Sequence, residues 1–284
     1  MTSETTLIIG KYAKTGSRIE TILKMKGYAT RAVSRSTQLS FDWNKPQDWL
    51  SVMQGCSRAY VCYQPDLALP LAQQAIVEFV RIAKIAGIKH IVLLSGRGEG
   101  GAQSCEQILI DSGINWNVVR VSWFSQNFSE SFLIESVNSR QFILPAVDTL
   151  EPFIDVDDIA EVAVACLTRP ELRNQLFELT GPELLSFRDC AQIISKAIDS
   201  PIEVVPISVE QFLHGLRQLD MPQEMLWLMN ELFSLVFDGR NSHINNGIEQ
   251  VLGKPARRFQ DYVANTARSG IWDLIDAQIQ QPVL

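Results

Sequence analysis

The segment Leu7-Ile8-Ile9-Gly10-Lys11-Tyr12-Ala13-Lys14-Thr15-Gly16 limits what this chain can fold into more than any other stretch. A short apolar run stops on a glycine, a second glycine closes the turn, and residues to about Lys26 then carry helical spacing. Strand, tight turn and helix in that order leave free backbone N–H groups at the helix start, where a dinucleotide pyrophosphate rests in open α/β folds. Gly10 allows the turn and Gly16 the close packing of helix on strand, while Ala13 stands where such turns carry their middle glycine. The plain alternative is an ordinary strand-to-helix turn.

The same alternation continues. Residues 29–33 read as a strand, as do 59–62, the latter followed by a helix over 70–86 that starts at Pro70 and stops at Gly87. Residues 88–94 form an apolar run expected of a strand covered on both faces, then come a Gly-rich loop (97–101), a helix over 105–111 and a strand over 116–121. This predicts an α/β fold, a Rossmann-like doubly wound parallel sheet with a smaller, mainly helical C-terminal lobe. The division expected is a dinucleotide-binding core over 1–150 and a substrate lobe over 151–284, some of whose strands join the main sheet. In the second part, residues 153–154 end a strand, 159–167 form a helix, 176–179 and 203–205 read as strands, 186–198 as a capped helix, and 209–237 as helix broken near Pro222.

A net charge of −7 argues against a nucleic-acid surface, because neutralising phosphates needs a basic face. Five cysteines without a CxxC pair and three widely spaced histidines give neither a disulfide framework nor a metal site, which fits a reducing, cytoplasmic setting. Residues 1–6 are polar, without the charged-then-apolar order of a signal segment, and no apolar run reaches the roughly 18 residues that a bilayer requires. No membrane association is expected. A homodimer or partner contact on the exposed part of 221–237 is left open.

At the end of the second strand an acidic residue selects NAD and an arginine accommodates the 2′-phosphate of NADP. Ser34-Arg35 stands there, so NADP(H) is the expected cofactor, and Asp42 either reaches the adenine edge or caps the next turn. The expected cofactor seat is Gly10, Lys11, Tyr12, Lys14, Thr15, Gly16, Ser34, Arg35, Asp42, Tyr63, Ser95 and Gly96. Ligands of open α/β sheets bind beyond the strands' carboxyl ends, which makes Tyr63, Trp123, Phe124, Asn127 and Phe128 the expected substrate wall. Trp227 is a candidate roof, although its helical spacing, like that of Phe233, also suits core packing. Asp155, Asp157 and Asp158 precede a helical pattern and read as a cap, and Arg257-Arg258 as solvated charge.

Several stretches together resemble the NmrA-like branch of the atypical short-chain dehydrogenases: the turn from Gly10 to Gly16, Phe41-Asp42-Trp43, Leu94-Ser95-Gly96-Arg97-Gly98, residues 122–128, residues 153–160 and Glu178-Leu179-Thr180-Gly181-Pro182. Phe41-Asp42-Trp43 and residues 122–128 look most like reductases of the ergot-alkaloid type. The resemblance implies a Rossmann core, a small C-terminal lobe, and NADPH with its nicotinamide near Ser95 and the loop 123–128.

Typical short-chain dehydrogenases use a tyrosine with a lysine four residues on. Tyr12, Tyr28, Tyr60, Tyr63 and Tyr262 all lack that partner, and Gly101-Ala102-Gln103-Ser104-Cys105 offers no acid or base ahead of the next helix. Tyr63 is the one tyrosine placed to be tested as a donor. Two functions remain open: an NADPH-dependent reductase of a small imine, iminium or conjugated substrate, needing orientation but no dedicated acid, or a non-catalytic NADP(H)-sensing regulator acting through protein partners.

Overall fold

The computed structural model describes residues 4–273. Of the polar N-terminal stretch read above, Met1–Ser3 lie outside the described residues. Six parallel strands, β1 (Thr5–Ile9), β2 (Thr30–Val33), β3 (Cys56–Val61), β4 (His90–Gly96), β5 (Asn115–Val121) and β7 (Gln175–Leu179), form one sheet in the order β2-β1-β3-β4-β5-β7. The order reverses between β1 and β3, so the crevice of this Rossmann-like, doubly wound sheet opens beyond their carboxyl ends. A second, two-stranded sheet pairs β6 (Gln141–Leu144) with β8 (Glu203–Pro206).

Helices α1 (Lys14–Met25) and α7 (Val156–Thr168) cover one face of the main sheet. The continuous apolar run of α7 suits its place: Ile159, Ala160, Val162, Ala163, Val164 and Cys166 are all buried, because the helix is enclosed by sheet, α1 and α11 (Gly247–Leu252). Asp155 caps α7 by accepting from the Asp157 N–H at 2.8 Å, as expected. On the other face lie α2 (Trp49–Met53), α3 (Ala72–Ala86) and α4 (Gly100–Ile110). Helix α4 begins about a turn earlier than its composition suggests. Gly101 explains this, since a side chain there would collide with the Ala68 carbonyl, and its absence lets the helix start lie directly on that loop.

The remaining helices, α5 (Asn127–Glu130), α6 (Ile134–Asn138), α8 (Phe187–Ala197), α9 (Val209–Gln218), α10 (Gln223–Ser234) and α12 (Phe259–Arg268), gather with the small sheet around an aromatic core. Ser186 and Ser208 start α8 and α9 with reciprocal capping boxes. The break at Pro222 falls between α9 and α10, where it was expected. Chain order does not follow this layering: β6 precedes residue 150 yet belongs with the small sheet, and β7 follows it yet joins the main one.

Two readings are corrected. Residues 153–154 form no strand: Ile154 makes a single bridge with Phe124, beside a second single bridge of Glu151 with Leu185. Arg257 is not plain solvated charge: it ion-pairs with the fully buried Asp158 and, at 2.6 Å, with Glu161. Arg258 remains exposed and meets Glu183 at 3.2 Å. Among the described residues, no helix is long and apolar enough to cross a membrane.

Candidate active site

The turn after β1 is built as its glycines require. Gly10 holds φ +95°, a backbone state open to glycine at little cost, and a Cβ on Gly16 would collide with the Gly10 carbonyl oxygen. Ala13 takes φ −74° and ψ 153°, which alanine adopts without strain, so the missing middle glycine leaves the turn undistorted. Lys14, Thr15 and Gly16 open α1, and their N–H groups have no carbonyl one turn back to accept them. The Thr15 hydroxyl is taken up by Tyr60 at 2.8 Å, so its buried side chain is structural and only its backbone is offered to a ligand. Tyr12 projects outward, 68% exposed, with the Lys11 ammonium 5.6 Å from its ring centre.

Two neighbouring cavities lie along this edge. The first, about 430 Å³, is lined by Gly10, Ser34, Arg35 and Asp42 together with Phe41 and Trp43. Asp42 also caps its own turn, accepting from Asn44 N–H at 3.0 Å. Behind this cavity Phe41 stacks on Trp49, and Trp43 leans on Tyr63 with ring centres 4.8 Å apart. Tyr63 is half-buried by that contact, and burial raises its phenol pKa, holding the proton on.

The second cavity, about 280 Å³, is lined by Lys14, Tyr63, Ser95, Gly96, Trp123, Phe124 and Asn127 among the expected residues. Pro65 and Met225 line both cavities, so the two adjoin, one bordered by Arg35 and the other by Trp123. Burial lowers the Lys14 pKa, and its ammonium lies 5.9 Å from the Phe124 ring centre. Ser95 donates to Glu106 at 2.5 Å, and Arg120 also engages Glu106, so the hydroxyl at the end of β4 is held by a buried ion pair. Arg97, 3% exposed, anchors the next residues to Glu178 at 2.8 Å and to the chain at Asn241 and His243.

Two expected wall residues lie elsewhere. Phe128 is fully buried, packed against Phe142, Phe153, Phe187 and Phe259, because α5 turns its side chain under the cleft floor. Trp227, 38% exposed, does not line the cavity; Met225, Leu228, Met229 and Leu232 on other faces of α10 do. Phe233 is core, in edge contact with Trp123 at 5.8 Å.

The sequence reading missed three acids on this wall: Asp66, Glu99 and Glu151. Glu99 lies inside the stretch read as a Gly-rich loop, and Asp66 and Glu151 carry no motif. Glu151 is 1% exposed, and its burial, only partly offset by Arg97 and by the Trp123 N–H, raises its pKa to about 7. Cys62 and Cys105 are held as thiols, their pKa values pushed up by burial to about 11 and about 12.

The residues present fit a dinucleotide. Free N–H groups stand at the start of a twelve-residue helix, a glycine is required at its closest approach to the turn, and an arginine borders the cavity at the end of β2. No protein-family model matches the chain. It is 29% identical to agroclavine dehydrogenase of Claviceps fusiformis, over 96% of this chain and 100% of that protein. It is 26% identical to the NAD(P)H azoreductase of Xenophilus azovorans, over 90% and 96% respectively. The fold superposes on an NADPH-dependent quinone oxidoreductase of Escherichia coli with a TM-score of 0.77 at 18% identity, covering 92% of this chain and 99% of that one. The glycine turn, the reversed sheet and these near full-length likenesses agree with the resemblance to the NmrA-like branch of the atypical short-chain dehydrogenases.

Proposed function

We propose that this protein is an NADPH-dependent reductase of a small conjugated or heterocyclic molecule, with imines and iminium ions as the leading substrate class. The observation that carries the reading is that an arginine-bordered cavity adjoins, at Pro65 and Met225, one walled by aromatic and methionine side chains. Backbone N–H groups of Lys14, Thr15 and Gly16 would hold the pyrophosphate, Arg35 the 2′-phosphate, and Ser34 and Asp42 the adenosine part. Tyr63, Ser95 and Gly96 would border the nicotinamide, which when bound supplies hydride.

The chain's own contribution is orientation and exclusion of water. Trp123 and Phe124 offer flat apolar surface to a conjugated ring, and Asn127 a hydrogen bond at its edge. Residues of α10 form the opposite side. The comparison proteins support this reading by their range: a clavine dehydrogenase, an azoreductase and a quinone oxidoreductase all act on small conjugated molecules.

Calorimetry with NADPH, NADP⁺ and NADH, followed by NADPH oxidation against a panel of iminium ions, imines, azo dyes and quinones, tests the proposal. Tight NADPH binding with turnover of at least one acceptor is expected. No heat with any dinucleotide at millimolar concentration would overturn the cofactor assignment. Binding without oxidation by any acceptor would overturn the reductase and leave the sensing regulator.

A further inference from the structure

The cleft holds two carboxyl groups that face each other, and their juxtaposition follows from the fold. Gly101 has no side chain, so the start of α4 rests on the backbone of Ala68, which brings Glu99, at the helix N-cap, beside the loop carrying Asp66. Glu99 takes no hydrogen bond from the free N–H groups of its own helix, the usual destination of an acid at that position. Its carboxyl lies instead over Gly96, where a Cβ would collide with it, and the Asp66 carboxyl is its side-chain neighbour on the same cavity wall. Glu99 is 8% exposed, Asp66 is half-buried with Oδ1 accepting from Ala68 N–H at 2.8 Å, and both line the cavity beside Ser95 and Gly96.

Two neighbouring carboxylates inside a poorly solvated wall resist being ionised together, because repulsion and lost hydration act in the same direction, so the doubly ionised pair takes up a proton readily. The charged groups that bear most strongly on Glu99 are Asp66, Glu231 and Glu106, all acidic; Asp66 in turn bears on the Cys62 thiol. Burial and these neighbours raise the Glu99 pKa far above the usual carboxylate range, which agrees with the geometry.

We propose that Asp66 and Glu99 share one proton and act as the acid of the cleft, protonating the heteroatom of a neutral acceptor as its carbon receives hydride. This rests on the reductase reading above. In the balanced step, the acceptor's C=X π bond breaks and a C–H bond forms with hydride from the reduced nicotinamide dinucleotide. The carboxyl O–H bond breaks and an X–H bond forms; the acceptor is reduced by two electrons and the dinucleotide oxidised by two. The pair, left doubly ionised, regains its proton from water at the cleft mouth. An iminium acceptor is already cationic and needs no such proton, so the pair separates the two acceptor types.

The full-length chain with Glu99→Gln, and separately Asp66→Asn, tests this with two readouts. Infrared spectra of the protein alone at pH 8 should show a protonated-carboxyl band in the wild type that both variants lack. Identical bands in all three would overturn the shared proton. In single-turnover oxidation of NADPH, the ratio of the rate with a neutral N-aryl imine to that with a cationic iminium should fall at least about tenfold in each variant, general acids contributing on the order of a hundredfold or more. An equal ratio in wild type and variants would overturn the acid role. Calorimetry with NADPH reports on each variant's fold and dinucleotide seat. If the wild type itself oxidises NADPH with no acceptor, the reductase reading fails and the acid role with it, while the infrared comparison still decides the shared proton.

Discussion

Glu151 offers a quantitative test of how the cleft is built. It is 1% exposed, and burial is the largest influence on it, followed by the opposing effects of Arg97 and of the Trp123 N–H that it accepts at 3.4 Å. Its pKa is raised from the usual 4.5 to about 7. A carboxyl whose folded pKa exceeds its unfolded one binds its proton more tightly in the native state. Its stabilisation is therefore fully present below pH 4.5 and is lost as pH rises through about 7. The difference of about two and a half units, at about 1.4 kcal/mol each, amounts to about 3 kcal/mol. Glu151→Gln keeps an acceptor for Trp123 N–H but cannot ionise. Urea unfolding of wild type and variant from pH 5 to pH 8.5 isolates this group, since all other titrating residues are common to both. The variant should gain about 2.5 kcal/mol on the wild type between the two ends, the rest of the difference lying below pH 5. Parallel stability curves would refute the inference that Glu151 is buried as a neutral acid.

Three further outcomes follow from the geometry. Arg35→Ala should lower the preference for NADPH over NADH about tenfold by calorimetry, the loss of one exposed guanidinium contact to a phosphate; an unchanged preference removes Arg35 from the 2′-phosphate seat. Gly16→Ala drives a methyl into the Gly10 carbonyl, so α1 must lift from β1; a stability loss of about 1–3 kcal/mol by denaturant titration and a weaker heat of NADPH binding are expected. Arg257→Met leaves Asp158 fully buried without its guanidinium partner and should cost about 3 kcal/mol, and adding Asp158→Asn should recover part of that loss.

The main sheet was legible because parallel strands covered on both faces must be continuously apolar and must alternate with helices, a pattern carried by adjacent residues. The glycine turn was legible for a similar local reason, as was the arginine at the end of β2. Short elements that owe their existence to packing were not: β6 shows alternating burial over only four residues, and α5 covers four. Phe128 and Trp227 show the limit at the site. Both have the chemistry of a substrate wall, but which way a helix turns its aromatic residues depends on what it packs against.

What the sequence by itself determined is the set of local events: where strands end, where a helix begins with free N–H groups, and which charge stands at the end of β2. Only the tertiary structure decided that Asp66, Glu99 and Glu151, drawn from three separate loops, face one cavity, and that Met225 borders both it and the cavity of Arg35. The physical reason is that ionisation and solvation depend on what surrounds a group in space. A carboxyl is an ordinary charged side chain in a list of residues and holds its proton near neutral pH only where burial, or a neighbouring carboxyl, disfavours its charge.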